Sequence, residues 1–204
     1  MEPIPIEYSR GETKFVSDNL ETDLTLFDFW SWAFSDVLTN TTRGILAEFI
    51  VASALDLNTR KPRDGWAKFD LEYRNYGIEI KSCSYHQRWF QKQMSNISFN
   101  ISTSRAWDAK TNQLEEQSRR QAEIYVFCLL AEKEREQVNP LNLDQWKFWI
   151  IDTQFLNQRK RSQSSITYNS LIKEVGDPIG FHRIKCSIDG LIENMHNHRL
   201  HSEP

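Results

Sequence analysis

Three residues in the stretch FDLEYRNYGIEIKSCS (69–84) have types and spacing that could do chemistry: Asp70 and, nine positions on, Glu79 with Lys81. Strand-like alternation surrounds them. Phe69, Leu71 and Tyr73 point one way and Asp70, Glu72 and Arg74 the other. After the turn signal NYG (75–77), apolar Ile78 and Ile80 alternate with Glu79 and Lys81. A period of two puts Glu79 and Lys81 on the same face, roughly 6–7 Å apart along the strand. A hairpin loop at Asn75–Tyr76 sets Asp70 opposite Lys81 and diagonal to Glu79, so that all three share a face; a longer loop with Gly77 in a bulge shifts that register. Two carboxylates this close repel, and one pKa rises unless a cation joins them. A hard ion such as Mg²⁺, or Mn²⁺ in its place, resolves the conflict through carboxylates, waters and a substrate phosphate. Such an ion polarises a phosphoryl oxygen and makes a nucleophile of its bound water, and a lysine beside it orients that water or stabilises developing charge. Without the ion, the same residues form an ordinary salt-bridged hairpin face.

The elements that must position these residues follow from periodicity. Residues 1–22 are polar with two early prolines and read as an arm or loop. From Leu24 to Leu57 the pattern is helical, with Leu26, Phe27, Trp30, Phe34 and Val37–Leu38 at helical spacing. Asn40 or Thr41 then caps a second helix striped by Ile45, Leu46, Phe49, Ile50, Ala54 and Leu55. NTRKPRDGW (58–66) is a basic, Pro- and Gly-punctuated loop. Beyond the hairpin, ISFNIS (97–102) reads as a strand and 109–122 as a polar, helical segment. EIYVFCLL (123–130) is a buried central strand followed by the strand WKFWIIDT (146–153), and LIENMHNHRL (191–200) closes as a short helix. No repeat or interdomain linker interrupts this order, so the expectation is one α/β domain around a mixed sheet.

Asp70 followed by Glu79-Ile80-Lys81 within GIEIKS resembles the signature of the PD-(D/E)XK nuclease superfamily, to which many restriction endonucleases and Holliday-junction resolvases belong. RGILAEFIVASAL (43–55) adds to the resemblance, because Glu48 stands where members often place a metal-facing glutamate on the helix before the hairpin. The resemblance implies a restriction-endonuclease-like αβββαβ core with a central mixed sheet flanked by helices. It also implies Mg²⁺-dependent hydrolysis of phosphodiesters, with Glu48, Asp70, Glu79 and the Ile80 carbonyl as metal ligands and Lys81 assisting the attacking water. A glutamine after this strand can touch the metal-bound water or the phosphate, and Gln87 is the candidate. Asp70 follows Phe69 rather than proline; Asp64 in PRD has the proline nearby but lies in a loop, so Asp70 is preferred. Members commonly work as dimers, which makes a homodimer an expectation, although no dimer helix stands out. The alternative is a binding or accessory subunit that keeps the fold without cleaving. RNA in place of DNA also stays open.

DNA is a dense line of negative charge, so a cleft must offer Lys and Arg near the metal. Arg60, Lys61, Arg63 and Lys68 lead straight into Asp70, and Arg119 and Arg120 precede the buried strand. QRKR (158–161) is a further basic run. Trp89 and Phe90 read as core, Trp66, Trp107, Trp146 and Trp149 as packing residues, and His86 as a surface histidine. The chain as a whole carries 25 Lys+Arg against 28 Asp+Glu, a net −3, which does not select a partner. Three scattered cysteines argue against a disulfide framework or zinc knuckle. The first residues lack the basic and apolar stretches of a secretory leader, and the longest apolar run is too short to span a bilayer. A cytoplasmic protein with no membrane partner is the expectation.

Overall fold

A computed structural model describes residues 4–108 and 111–200, with side chains through residue 197. Its elements run β1 (Lys14–Ser17), β2 (Leu20–Thr25), α1 (Leu26–Phe34), α2 (Asn40–Ala54), β3 (Leu71–Tyr73), β4 (Tyr76–Ser84), β5 (Ser98–Asn100), β6 (Trp107–Asp108), β7 (Gln113–Leu114), β8 (Ile124–Leu130), β9 (Trp146–Asp152), α3 (Thr153–Gln158), β10 (Ser165–Thr167), α4 (Tyr168–Glu174) and α5 (Ile184–Leu200).

The centre is a four-stranded mixed sheet of order β3-β4-β8-β9. β4 and β8 are parallel, with Glu79 beside Tyr125 and Lys81 beside Phe127; the other pairs are antiparallel. Every residue of β8 is buried, as a continuous apolar run predicts for a strand covered on both faces. Alternation then sorts two apolar layers. On one face Ile78, Ile80, Val126, Cys128 and Phe148 pack against Ala47, Ile50 and Val51 of α2 and Ile184 and Ile188 of α5. On the other, Tyr125, Phe127, Leu129 and Trp149 meet Phe99 of β5, Ile166 of β10, Leu156 of α3 and Leu171 of α4.

α2 begins at the N-cap Thr39, whose hydroxyl accepts from the Thr42 N–H, one residue before the expected cap. Buried Arg43 fixes this helix to the sheet. Its guanidinium donates to Ser82 Oγ (3.1 Å), the Leu38 carbonyl (2.9 Å) and Asn40 Oδ1 (2.8 Å).

Several expectations need correction. Residues 1–22 are not simply a loop, because β1 and β2 form a hairpin turned by Asp18 and Asn19, both at positive φ. The helix expected over 109–122 is not formed in its described part, residues 111–122, which carry β7 and irregular backbone; residues 109 and 110 lie outside the described residues. The C-terminal helix starts earlier, at Ile184, and α3, β10 and α4 were not anticipated. The αβββαβ order is met only in part. No helix lies between β4 and β8 among the described residues, and β5 leaves the main sheet to pair with β10. What stands is a mixed α/β fold with a central mixed sheet flanked by helices.

Candidate active site

The hairpin β3–β4 sets the geometry. Its loop is Arg74–Asn75, both in the left-handed region (φ 51° and 65°), as a two-residue turn matching strand twist requires. The pairs are therefore Tyr73 with Tyr76, Glu72 with Gly77 and Leu71 with Ile78. This corrects the expected loop at Asn75–Tyr76 and the Asp70–Lys81 pairing that depended on it. Continued by one step, the observed register brings Asp70 level with Glu79. The Asp70 carboxylate accepts from the Ile80 N–H at 2.6 Å, and the Asp70 N–H donates to the Ile78 carbonyl at 3.1 Å. Asp70 thus stands just outside β3, pinned across the mouth of the hairpin beside Glu79.

Glu79 and Lys81 form an ion pair, Oε1 to Nζ. They line a cleft of about 300 Å³ together with Lys68, Asn100, Ser102, Thr103, Ser104, Gln121 and Tyr125. Tyr125 lies beside Glu79 in the parallel register. Burial, and then the nearby Glu79 carboxylate, push its phenol up to about 12, so it stays protonated as a hydrogen-bond donor at neutral pH. Gln121 also belongs to the wall; its amide nitrogen donates to the Ser104 carbonyl (3.2 Å) and Glu115 Oε2 (2.8 Å). Tyr125, Gln121 and the 100–104 segment were not identified from sequence. Tyr125 reads as core, Asn100 and Ser102 fall on the polar side of the strand read at 97–102, and Thr103, Ser104 and Gln121 lie in segments without periodicity.

Glu48, on α2, is only 14% exposed at its side chain, so it is not the ordinary surface residue that a helix glutamate could be. Arg63 grips it through two bonds, Nε to Oε2 at 2.8 Å and Nη2 to Oε1 at 2.9 Å. The three carboxylates sense one another. Burial raises Asp70, Glu79 and Glu48 above their ordinary ranges, and the Asp70 charge raises the other two further. Lys81 and Arg63 oppose that rise, as cations beside acids must.

Among the described residues, no three His, Cys, Asp or Glu side chains stand in a group that could hold a metal ion as placed. Glu48 faces Arg63, Glu79 faces Lys81 and Asp70 faces a backbone N–H. The donor chemistry nevertheless suits a hard cation. Three desolvated carboxylates stand near enough to repel, two of them paired with cations, and divalent charge would relieve the same repulsion.

The remaining candidates are distributed unevenly. Lys68 lines the cleft, Arg63 is paired with Glu48 outside that lining, and Arg60 and Lys61 are exposed in the preceding loop. Arg119 pairs with Glu115, whose carboxylate it helps pull down to about 2. Arg120 is buried and committed: it donates to the Ile101 carbonyl (3.0 Å), Asn157 Oδ1 (2.6 Å) and the Gln163 carbonyl and Oε1 (both 3.0 Å). That clamp removes it from the phosphate-facing surface. Gln87 is buried away from the cleft lining, its amide donating to the Ser84 carbonyl (3.1 Å) and Ser95 Oγ (3.2 Å). Beside it, His86 is buried against the Lys133 carbonyl rather than at the surface. Trp89 and Phe90 are exposed rather than core. Trp146 and Trp149 are packed as expected, and Trp66 is 74% exposed while resting on Trp107.

Residues 12–168 match the family model of bacteriophage T4 endonuclease IV. The match spans more than half of the chain and contains Glu48, Asp70, Glu79, Lys81 and the whole cleft lining. Neither the curated proteins nor the solved structures include a match to the chain. The chain belongs to the bacteriophage T4 endonuclease IV family and is a nuclease.

Proposed function

We propose that this family member is a metal-dependent endonuclease that hydrolyses phosphodiester bonds in DNA through a site of PD-(D/E)XK type. One observation carries the reading: Asp70 is pinned level with Glu79, and the Glu79–Lys81 pair lines a polar cleft of about 300 Å³. Asp70, Glu79, the Ile80 carbonyl and Glu48 are the groups that would hold Mg²⁺ or Mn²⁺. Bound there, the ion would supply Lewis acidity toward a phosphoryl oxygen and toward a water.

The chain's own residues do the rest. Lys81 donates to the attacking water or to the phosphoryl oxygens, stabilising charge as it develops. The Tyr125 hydroxyl, a phenol protonated at neutral pH, offers a further donor in the same wall. Lys68 contacts the incoming backbone, and Arg63 couples the basic loop to Glu48. The hydroxyls and amides of residues 100–104 and Gln121 give the cleft a neutral polar side on which sugar and base edges rest.

The test is cleavage of supercoiled plasmid, single-stranded DNA and a branched junction with Mg²⁺ or Mn²⁺, wild type beside Lys81→Ala. Cutting that stops with EDTA and falls by 10²-fold or more in the variant (on the order of one removed electrostatic donor) supports the reading. Cutting by the variant at the wild-type rate, or cutting that persists in EDTA, refutes it. The accessory-subunit alternative is favoured only if no substrate is cut and Mn²⁺ does not bind by calorimetry.

A further inference from the structure

The chain between β4 and β5, residues 85–97, carries two rings that the fold leaves in water. Trp89 is 56% exposed and Phe90 84%, although both read as core in the sequence. The loop that presents them is built rather than slack. Gln91 Oε1 accepts from the Gln87 N–H (2.6 Å) and from Arg135 Nη1 (3.2 Å), and its amide nitrogen donates to Ser95 Oγ (3.0 Å). Arg135 Nη2 donates to the Gln87 and Trp89 carbonyls (both 3.2 Å). The Ser95 N–H closes the loop on the Tyr85 carbonyl (2.9 Å), and buried His86 and Gln87 anchor it. These bonds fix the backbone at 87 and 89 and so hold neighbouring rings outward. A turn that only joined two strands would gain by being polar there, and adjacent exposed apolar rings mark a contact surface.

We infer that Trp89 and Phe90 are base-stacking residues for the nucleic acid held in the cleft, a role that rests on the nuclease reading above. Charge selects the occupant. From Ile80 to Trp107 the chain has four cations, Lys81, Arg88, Lys92 and Arg105, and no Asp or Glu, the longest acid-free stretch in the sequence. That stretch starts and ends at the site: Lys81 lines the cleft on its way out, and Asn100 and Ser102 line it on the return. Trp89 and Phe90 stand near its middle. Nearby acids are partly spent. Asp36 is paired with Arg88 (2.9 Å), and the Glu132 carboxylate accepts from the Lys133 and Glu134 N–H groups (2.8 and 2.9 Å). Lys92, Lys133 and Arg135 then outnumber Glu134 and Glu136, which are exposed on the adjoining segment.

The base of the loop repeats this chemistry. Tyr85, Ser95 and Asn96 line a second pocket of about 430 Å³ with Tyr168, and no carboxylate among the described residues lines it. Lys133 Nζ stands over the Tyr85 ring at 5.7 Å. A polyanion leaving the cleft along this stretch therefore meets cations, amides and hydroxyls, and then two rings. Aromatic rings suit such a ligand because every base offers a π-face, whatever the sequence, and an apolar ring can also wedge between paired bases. An anionic membrane answers the same charge, but to reach the rings it would have to approach a stretch that begins and ends in the cleft.

The experiment is fluorescence anisotropy of labelled single-stranded and duplex DNA oligonucleotides with the full chain in EDTA, wild type beside Trp89→Ala, Phe90→Ala and the control Trp32→Ala. Trp32 is an 85% exposed tryptophan on α1, none of whose residues is buried, and circular dichroism checks that each variant is folded. Trp89→Ala and Phe90→Ala should each weaken binding roughly fivefold to a hundredfold. The slope of log K against log salt should not change, because no charge is lost, and Trp32→Ala should bind like wild type. A larger loss on single strands assigns the rings to unpaired bases, a larger loss on duplex to a wedge between paired ones. Unaltered affinity in both loop variants, an equal loss in Trp32→Ala, or a wild type that binds neither oligonucleotide overturns the inference. So does binding to anionic phospholipid vesicles that Trp89→Ala abolishes while DNA affinity is kept, which assigns the loop to a membrane. Affinity lost in the loop variants of a protein that cuts nothing with Mg²⁺ or Mn²⁺ supports the stacking role and counts against the metal-nuclease reading alone.

Discussion

Gly77→Ala tests whether the hairpin mouth places Asp70 as described. A Cβ on Gly77 would stand 2.5 Å from Cδ1, 2.7 Å from Cε1 and 2.9 Å from Cγ of the Phe69 ring, distances at which something must move. Position 77 itself is clamped. Its N–H donates to Glu123 Oε2 (2.8 Å), and its carbonyl accepts from the Glu123 N–H (3.0 Å). The ring therefore has to give, and Phe69 is bonded directly to Asp70. Overpacking of this kind costs about 1–3 kcal/mol, a fall in Tm of roughly 2–4 °C per kcal/mol for a chain of this size. A shift of Asp70 by about 1 Å should lower the cleavage rate on the order of 10²-fold. Gly44→Ala is the matched control. Nothing lies within 4 Å of its added Cβ, and it sits inside α2, so it should gain about 0.5–1 kcal/mol with activity unchanged. The assays are urea denaturation and initial cleavage rate for both variants. A Gly77→Ala protein that melts and cuts like wild type would refute the packing argument and the placement of Asp70 with it.

Other consequences follow from the buried acids and the basic residues. Burial raises the Glu79 carboxyl above its ordinary value, so the folded chain holds a proton that the unfolded chain releases between those two values, and stability falls as pH rises through that window. Glu79→Gln removes this contribution. In EDTA it should be more stable than wild type at pH 7, with the difference vanishing below the ordinary carboxylate range, while cleavage is lost; a stability difference that does not depend on pH would contradict it. Arg120→Ala should cost about 1.5–3 kcal/mol and leave the salt dependence of DNA binding alone, because its guanidinium is spent inside the fold. Lys68→Ala should do the reverse, leaving stability near wild type and flattening the log K against log salt slope by about 0.7–0.9.

The placement of Glu79, Lys81 and Glu48 was legible in the sequence because it depends on local periodicity. Alternation in 69–84 put Glu79 and Lys81 on one face of a strand, and the apolar stripe of 45–55 put Glu48 on the helix before it. The continuous apolar run at 124–130 showed a strand covered on both sides. Register was harder to read. Asn75 and Gly77 both signal turns, and only strand pairing decided for Arg74–Asn75 and so moved Asp70 from Lys81 to Glu79.

Whatever depends on distant partners was decided by tertiary structure. Arg119 and Arg120 are adjacent and chemically alike, yet one pairs at the surface with Glu115 and the other is captured by acceptors at 101, 157 and 163. Tyr125 reads as core and becomes a cleft donor because parallel pairing sets it beside Glu79. The helical pattern of α1 foretold a helix but not its exposure. Periodicity fixes which residues share a face, since it is a property of the backbone's own repeat; what covers that face depends on contacts between segments far apart in the chain.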